Sequence, residues 1–333
     1  MPQQFRLRKV NEDADNIIHS NVLSIFTRLS FLLKLCLVLT SAIRCLKKFV
    51  NEITFVHAHT IFSDGICAYL FSIIFDKKLI LTVRGTDVNL GFKFFWHYKW
   101  LAKLALRKAC KVIFISPTHR VLFKSYFGDE FDDKLITIPN GVDEYFLKKV
   151  LNQSERVDDG VVKGVYVGAA FRNKNIKNAI IAFFRANKQS DALFYIIGCT
   201  YRDYVNVYGE IDPKIKARVS FLGHLSKECI LDYLRMSNLF VMVSKSETFG
   251  LVYIEAISQC LPIIYSQGQG VDGYFNDGDY GFRSDPNDIE SITHAITKTL
   301  SFFPLGLGPF DVNPAEGFSW SSIASKYNSD IYK

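Results

Sequence analysis

Ser244-Lys245-Ser246-Glu247-Thr248-Phe249-Gly250-Leu251-Val252-Tyr253-Ile254-Glu255-Ala256 carries two glutamates eight positions apart. The first falls in a polar turn and the second inside an apolar, helix-like run. Residues 239–243 before the stretch and 262–265 after it read as strands. The whole is therefore a strand, a loop, a helix and a strand, the repeating unit of a parallel α/β sheet. In such sheets the loop lies at the carboxyl end of a strand, where ligands bind. Phe-Gly-Leu sits where the helix should begin, and a helix start with a glycine is a ready anion site. A carboxylate two turns further in can accept hydrogen bonds from a ligand's hydroxyls. A phosphate and a polyol held side by side describe a nucleotide sugar.

The same rhythm extends in both directions. Residues 164–167, 193–197 and 219–222 read as strands, with 175–186 and 227–236 as helices. Upstream, 53–58, 79–83, 111–116 and 135–139 read as strands, separated by helical stretches such as 96–109. The 333 residues suffice for two cores. The polar run 148–160 is the expected linker between them. This predicts a first domain over 1–150, a second over 151–315, and a last helix within 316–333 that packs back on the first domain. Two doubly wound domains in tandem leave a cleft between them.

Composition narrows the function classes. Residues 1–150 hold 22 Lys and Arg against 13 Asp and Glu, a net of +9, while the remainder holds 18 against 20, a net of −2, which together account for the overall +7. A basic first half suggests an anionic surface or acceptor on that side. No recognition-helix motif, zinc knuckle or basic–aromatic interleaving points to nucleic acid. Seven scattered cysteines argue against a disulfide framework or zinc site and for a reducing compartment. The start carries charges and no apolar core segment, so no secretory signal is expected. The best membrane candidate, 22–50, has nine residues as its longest uncharged stretch, too few to span. It reads as a core helix or as an amphipathic helix lying on a membrane surface.

Six stretches, in order, resemble the retaining GT-B glycosyltransferases of family 4. Glu247 through Glu255 resembles their E-x7-E signature. Val167-Gly168 with Lys174-Asn175, a lysine six residues after the glycine, resembles the donor-phosphate loop. Phe221-Leu222-Gly223-His224 resembles the turn facing the nucleotide base, and Ile138-Pro139-Asn140-Gly141-Val142-Asp143 the segment closing the N-terminal domain. Val56-His57-Ala58-His59 and Thr82-Val83-Arg84-Gly85-Thr86-Asp87 match two further stretches. The resemblance implies the α/β GT-B fold, two Rossmann-like domains facing a central cleft. It implies transfer of a sugar from a UDP- or GDP-sugar to a glycan or polyprenyl-phosphate-linked acceptor in surface polysaccharide assembly (lipopolysaccharide, capsule or exopolysaccharide). A cytoplasmic protein is expected, peripheral on the inner face of the membrane through its basic half.

The resemblance also implies roles. Negative charge develops on the departing diphosphate, so cations and oriented amides already in place lower the barrier. Lys174 is the expected cation, with Gly168 and the amides near Thr248, Phe249, Gly250 and Leu251 around it. Glu255 is expected on the ribose hydroxyls, Glu247 near the donor sugar, and Gly223 and His224 near the base. The alternatives are a solvated loop lysine, a turn carboxylate, a helix-face carboxylate and a cap at Thr248. Where the family has arginine after the glycine this chain has Ala169, and Arg172 is the expected substitute. Where the family often has histidine this chain has Arg84, which cannot act as a base at neutral pH. Arg84 is assigned to a phosphate or acidic acceptor, or to a salt bridge with Asp87. His59, Arg84 and Asp87 are the acceptor-side candidates. The first 50 residues hold no glycine, so either a shortened N-terminal domain or a true start lying upstream is expected. Asp277-Gly278-Asp279 has D-x-D spacing but sits in a turn, and no metal or other cofactor is expected. A non-catalytic homologue that binds nucleotide or a partner is the rival reading, and an epimerase of the same fold a lesser one.

Overall fold

The computed structural model describes residues 31–148, 159–308 and 313–333. Two parallel sheets organise it. The first holds β1 (Phe55–Ala58), β2 (Lys78–Val83), β3 (Ala109–Phe114) and β4 (Leu135–Thr137), in the order 1-2-3-4. The second holds β5 (Val162–Val167), β6 (Ala192–Ile197), β7 (Val219–Gly223), β8 (Leu239–Val241), β9 (Ile263–Ser266) and β10 (Gly281–Ser284), in the order 10-9-8-5-6-7. The central strands are apolar along their length because helices cover both faces. β8 and β9 are buried at every position, and β2 at all but its first.

The second sheet reverses its winding between β5 and β8, which pair directly. The loops leaving these two strands go to opposite faces, so a crevice opens at their carboxyl ends. The loop after β5 contains Lys174 and the loop after β8 contains Glu247. Topology alone thus places the two residues face to face. β10 is the one strand absent from the sequence reading. It is four residues long, begins with glycine and lies at the sheet edge, so it carries little apolar pattern.

Within the 22–50 region, Phe31–Leu46 is helical and residues 22–30 lie outside the described residues. Leu35, Val38 and Leu39 of this helix pack against Ile66, Cys67, Leu70 and Leu101. Among the described residues no helix is long and apolar enough to cross a membrane. The expected linker 148–160 lies mostly outside the described residues, and Val142 and Phe146 ahead of it already join the core of the second sheet. The last helix, Trp320–Asp330, is followed by Ile331; Ile323 and Ile331 pack beneath the first sheet against Ile80, Ile113 and Ile138. All seven cysteines are free.

Candidate functional site

The crevice at the switch point is a cavity of about 380 Å³. Gly168, Ala169 and Lys174 line one side and Glu247 to Val252 the other, with Asn140 reaching in from the segment after β4. Lys174 Nζ donates to Glu247 Oε2 at 2.6 Å, with 22% and 12% of the two side chains exposed. The pair is held from behind. Ser244 Oγ donates to the same Oε2 at 3.4 Å, and Thr248 N donates to Oε1 at 3.2 Å. Glu247 N donates to Gln269 Oε1 at 3.1 Å, and Gly270 N to Glu247 O at 3.2 Å.

The lysine is set by its neighbour. Asn175 adopts left-handed backbone, φ 58°, and is 5% exposed. Its Nδ2 donates to Val243 O at 3.0 Å and to Pro286 O at 2.7 Å. Lys245 N donates to Asn173 O at 2.7 Å, and Asn173 Nδ2 to Ser246 O at 3.2 Å. The two loops are therefore stitched together on either side of the ion pair.

Gly250 caps the helix Leu251–Ser258 in left-handed backbone, φ 81°, and a Cβ there would come within 2.5 Å of the Tyr253 ring. The alternative reading of a cap at Thr248 does not hold, since Gly250 is the N-cap. Phe249 is drawn into the core, 1% exposed and against the Phe318 and Tyr274 rings, so the chain enters the helix two residues later. Thr248 turns instead toward the first domain, where a Cβ on Gly85 would lie 2.2 Å from its Oγ1. The amides of Gly250 and Leu251 remain at the cavity, where the helix dipole favours an anion.

Glu255 lies one side away from the cavity lining, half-buried on the same helix. Burial pushes its carboxyl up to about 7, with Asp143 adding to the rise and Lys227 opposing it. Lys227 is tied to Asp143 by an ion pair, so it only partly offsets the cost at Glu255. Among the described residues Glu255 makes no hydrogen bond through its side chain, and a half-buried carboxylate without protein donors is open to donation from a ligand's hydroxyls. Gly223 closes β7, its oxygen accepting from Gly198 N at 2.7 Å. Gly198, φ 95°, packs so tightly that a Cβ would lie 2.8 Å from Gly168 O. Arg172 and His224 are exposed and line no part of the cavity.

On the opposite wall, Arg84 Nη2 approaches His59 Nδ1 at 3.2 Å. Burial, Arg84 and Asp64 act on His59, the first two lowering its pKa and outweighing the third. His57 stacks on His59, bonds Tyr332 OH and Thr82 Oγ1 at 2.7 Å each, and is held down to about 4 by burial, His59 and Arg84. Asp87 makes no salt bridge with the Arg84 guanidinium. It is 2% exposed, Oδ1 accepting from Ile61 N at 2.9 Å and Phe62 N at 3.4 Å, and Oδ2 from Arg84 N at 3.2 Å. Those amides lower its pKa, yet burial prevails and lifts it to about 6. Asp87 thus ties the carboxyl ends of β1 and β2 together rather than facing the cleft.

Gln269 and Gly270 were not singled out from the sequence, whereas Ser116 stands at the carboxyl end of a strand read there. The signal for the first two was present, since Gln267-Gly268-Gln269-Gly270 is a polar, glycine-rich loop at the carboxyl end of β9. Ser116 Oγ donates across the cleft to Gly270 O at 2.9 Å, Tyr274 OH to Ile115 O at 3.2 Å, and Ser246 Oγ to Asn89 Oδ1 at 2.9 Å. Asp277 is engaged by Arg283 and Asp279 by Asn276 within their own turn. Among the described residues no group of three or more His, Cys, Asp or Glu gathers where it could hold a metal ion.

Comparison with known proteins identifies the family and the fold. The family "Glycosyl transferases group 1" matches residues 148–302, and "Glycosyltransferase Family 4" matches residues 6–145. N-acetyl-alpha-D-glucosaminyl L-malate synthase of Bacillus anthracis is 23% identical over 75% of this chain and 66% of its own length. A UDP-Gal:alpha-D-GlcNAc-diphosphoundecaprenol alpha-1,3-galactosyltransferase of Escherichia coli is 27% identical over 60% of this chain and 54% of its own. The chain thus spans about two thirds or less of the length of these two relatives. Among solved structures, Anabaena Alr3699/HepE in complex with UDP superposes with a TM-score of 0.68 at 18% identity, over 92% of this chain and 83% of that one, which establishes the shared fold.

Proposed function

This chain belongs to the GT-B glycosyltransferases of group 1 and family 4, and from that premise we propose that it is a retaining, metal-independent transferase using a UDP- or GDP-sugar. The observation that carries the proposal is the Lys174–Glu247 pair, 2.6 Å apart in the switch-point cavity beside the Gly250 amide. The diphosphate lies against Lys174 and the helix start, which stabilise the charge that builds as the bond to the anomeric carbon breaks. Glu247, held by Lys174 and Gln269, faces the donor sugar, and Glu255 takes the ribose hydroxyls. The acceptor oxygen attacks the anomeric carbon on the face the diphosphate leaves, and its proton passes to a departing phosphate oxygen. His57 and His59, both with lowered pKa values, stay neutral near pH 7, and Arg84 supplies positive charge on the acceptor side.

The acceptor proposed is a lipid-linked glycan at the cytoplasmic face of the membrane, within surface polysaccharide assembly. Two things support it: the basic first half and a relative whose name specifies a diphosphoundecaprenol acceptor. The test begins with a thermal-shift screen of nucleotide sugars, since a ligand bound only by the native state raises its melting temperature. With the donor so identified, Lys174→Ala and Glu247→Ala should each lower turnover by about 100-fold or more while the circular dichroism is unchanged. Full activity in Lys174→Ala would remove the phosphate assignment.

A second reading is a homologue that binds nucleotide without turning it over. Ala169 in the phosphate loop and the exposed Arg172 outside the cavity favour it. A nucleotide sugar that stabilises the protein but is neither hydrolysed nor transferred with a crude acceptor extract would decide for this reading.

A further inference from the structure

Residues 88–128 contain eight Lys and Arg and no Asp or Glu. Near the start of that stretch lies Phe92-Lys93-Phe94-Phe95-Trp96-His97-Tyr98-Lys99-Trp100. Phe94 is 66% exposed, Trp96 70% and Trp100 62%. Single exposed apolar side chains are ordinary, but three large aromatics within seven residues are a patch. Trp96 begins a short 3-10 turn and Trp100 lies in the helix Lys99–Lys108 that follows it. That helix buries Ala102, Ala105 and Leu106 against the first sheet, so its aromatic end is turned outward by the same packing that fixes the rest.

Charge at this end is positive and largely uncompensated. Further along the helix, Glu130 takes Lys103 and Arg107, and Asp76 takes Lys108. Lys93 and Lys99, interleaved with the aromatics, have no carboxylate partner among the described residues; Lys99 Nζ lies 4.3 Å from the Tyr126 ring centroid. The neighbouring helix, Phe31–Leu46, packs onto this region through Leu101. Residues 31–51 are also free of acids and carry Lys34, Arg44, Lys47 and Lys48. Tryptophan prefers the headgroup level of a bilayer, and nearby lysines are drawn to anionic lipid.

We propose that the face formed by Phe94, Trp96 and Trp100 with Lys93 and Lys99 is the surface on which the protein rests against an anionic lipid bilayer. The placement serves the transfer reading above, on which its functional meaning rests. A second cavity, of about 360 Å³, begins at this face with Phe92, Lys93 and Tyr126 and ends at Lys245, Ser246 and Gln269. Gln269 is the residue that holds Glu247 N. An acceptor anchored in the bilayer therefore has an entrance beside the membrane and an end point beside the donor loop.

Two of the three tryptophans lie on the proposed face, so intrinsic fluorescence reports on it directly. The full chain is mixed with phosphatidylglycerol/phosphatidylcholine vesicles and with pure phosphatidylcholine vesicles, at low and high salt. On the mixed vesicles the emission should shift to the blue and be quenched by brominated lipid, with partitioning at least tenfold above that on the neutral ones. Trp96→Ser/Trp100→Ser should lower partitioning at least tenfold, and Lys93→Glu/Lys99→Glu should abolish the preference for anionic lipid. Both variants should keep the wild-type circular dichroism and nucleotide-sugar binding. Equal partitioning of wild type and Trp96→Ser/Trp100→Ser would overturn the proposal. So would a vesicle-independent dimer that Trp96→Ser/Trp100→Ser converts to monomer, since a second copy would then own the face. Vesicle binding needs no donor, so Lys174→Ala should bind vesicles as wild type does, which separates failure of this proposal from failure of the transfer reading.

Discussion

Glu255 is a carboxyl kept in an environment that favours its protonated form, pushed from 4.5 to about 7 chiefly by burial. Its folded-state pKa exceeds its unfolded one, so between these values the native state holds a proton that the unfolded state lacks. Stability therefore falls as pH rises through that window, by about 3 kcal/mol at most for a group this buried. Urea midpoints measured from pH 4 to 8 should show this decline in wild type and lose it in Glu255→Gln. Parallel profiles would refute the shift. Nucleotide binding should move the opposite way and strengthen as Glu255 ionises, because a carboxylate accepts from ribose hydroxyls better than an acid does. Glu247 and Glu255 were legible in the sequence because their spacing along one β-α-β unit is local, and Lys174 because it stands six residues after Gly168 in the loop after β5. Asp87 was not, because the amides it accepts from, at Ile61 and Phe62, are more than twenty positions away and leave no side-chain signature.

The donor-side loops work as one element. Asn175 joins the loop after β5 to the end of β8 and to the turn after β10 through its two donated hydrogen bonds. Asn175→Ala leaves two buried carbonyls without that donor and puts a Cβ-bearing residue with no local hydrogen bond into left-handed backbone. The cost should be about 2 to 4 kcal/mol by urea denaturation. Asn175→Gly should recover only the backbone share, about 1 kcal/mol. Equal stability of Asn175→Ala and wild type would sink this account. Strand and helix rhythm made most elements readable, and the helix at 227–236 is found as Lys227–Met236. β10 escaped because Gly281 opens it at φ 148°, where a Cβ would lie 1.8 Å from Ile263 O; the requirement comes from the neighbouring strand and not from its own four residues.

For the molecule as a whole, the tandem α/β pattern announced two sheets, but not how closely they meet. The hydrogen bonds across the cleft run from Ser116, Tyr274 and Ser246 largely to loop backbone, which sequence pattern does not record. Gly85 is the tightest point. Gly85→Val would drive a side chain into Thr248 and hold the cleft ajar. Transfer should fall about tenfold or more, as expected when reacting groups are displaced by an ångström, and by more than nucleotide-sugar affinity, because Gly85 itself stands on the first domain. Unchanged transfer would show that this contact is not needed for reaction. The crossings between the domains carry a further consequence. The chain passes from the first core to the second between Ile138 and Val142, and returns between Phe318 and Ile323. The two passages are bonded to each other, Val142 N donating to Phe318 O at 2.8 Å and Val142 pairing with Ser319. A single tether would allow the halves to swivel. Two tethers fastened side by side act as the pins of a door and leave one axis of rotation. Any parting of Gly85 from Thr248 is thereby confined to one path, which keeps the two walls in the same register.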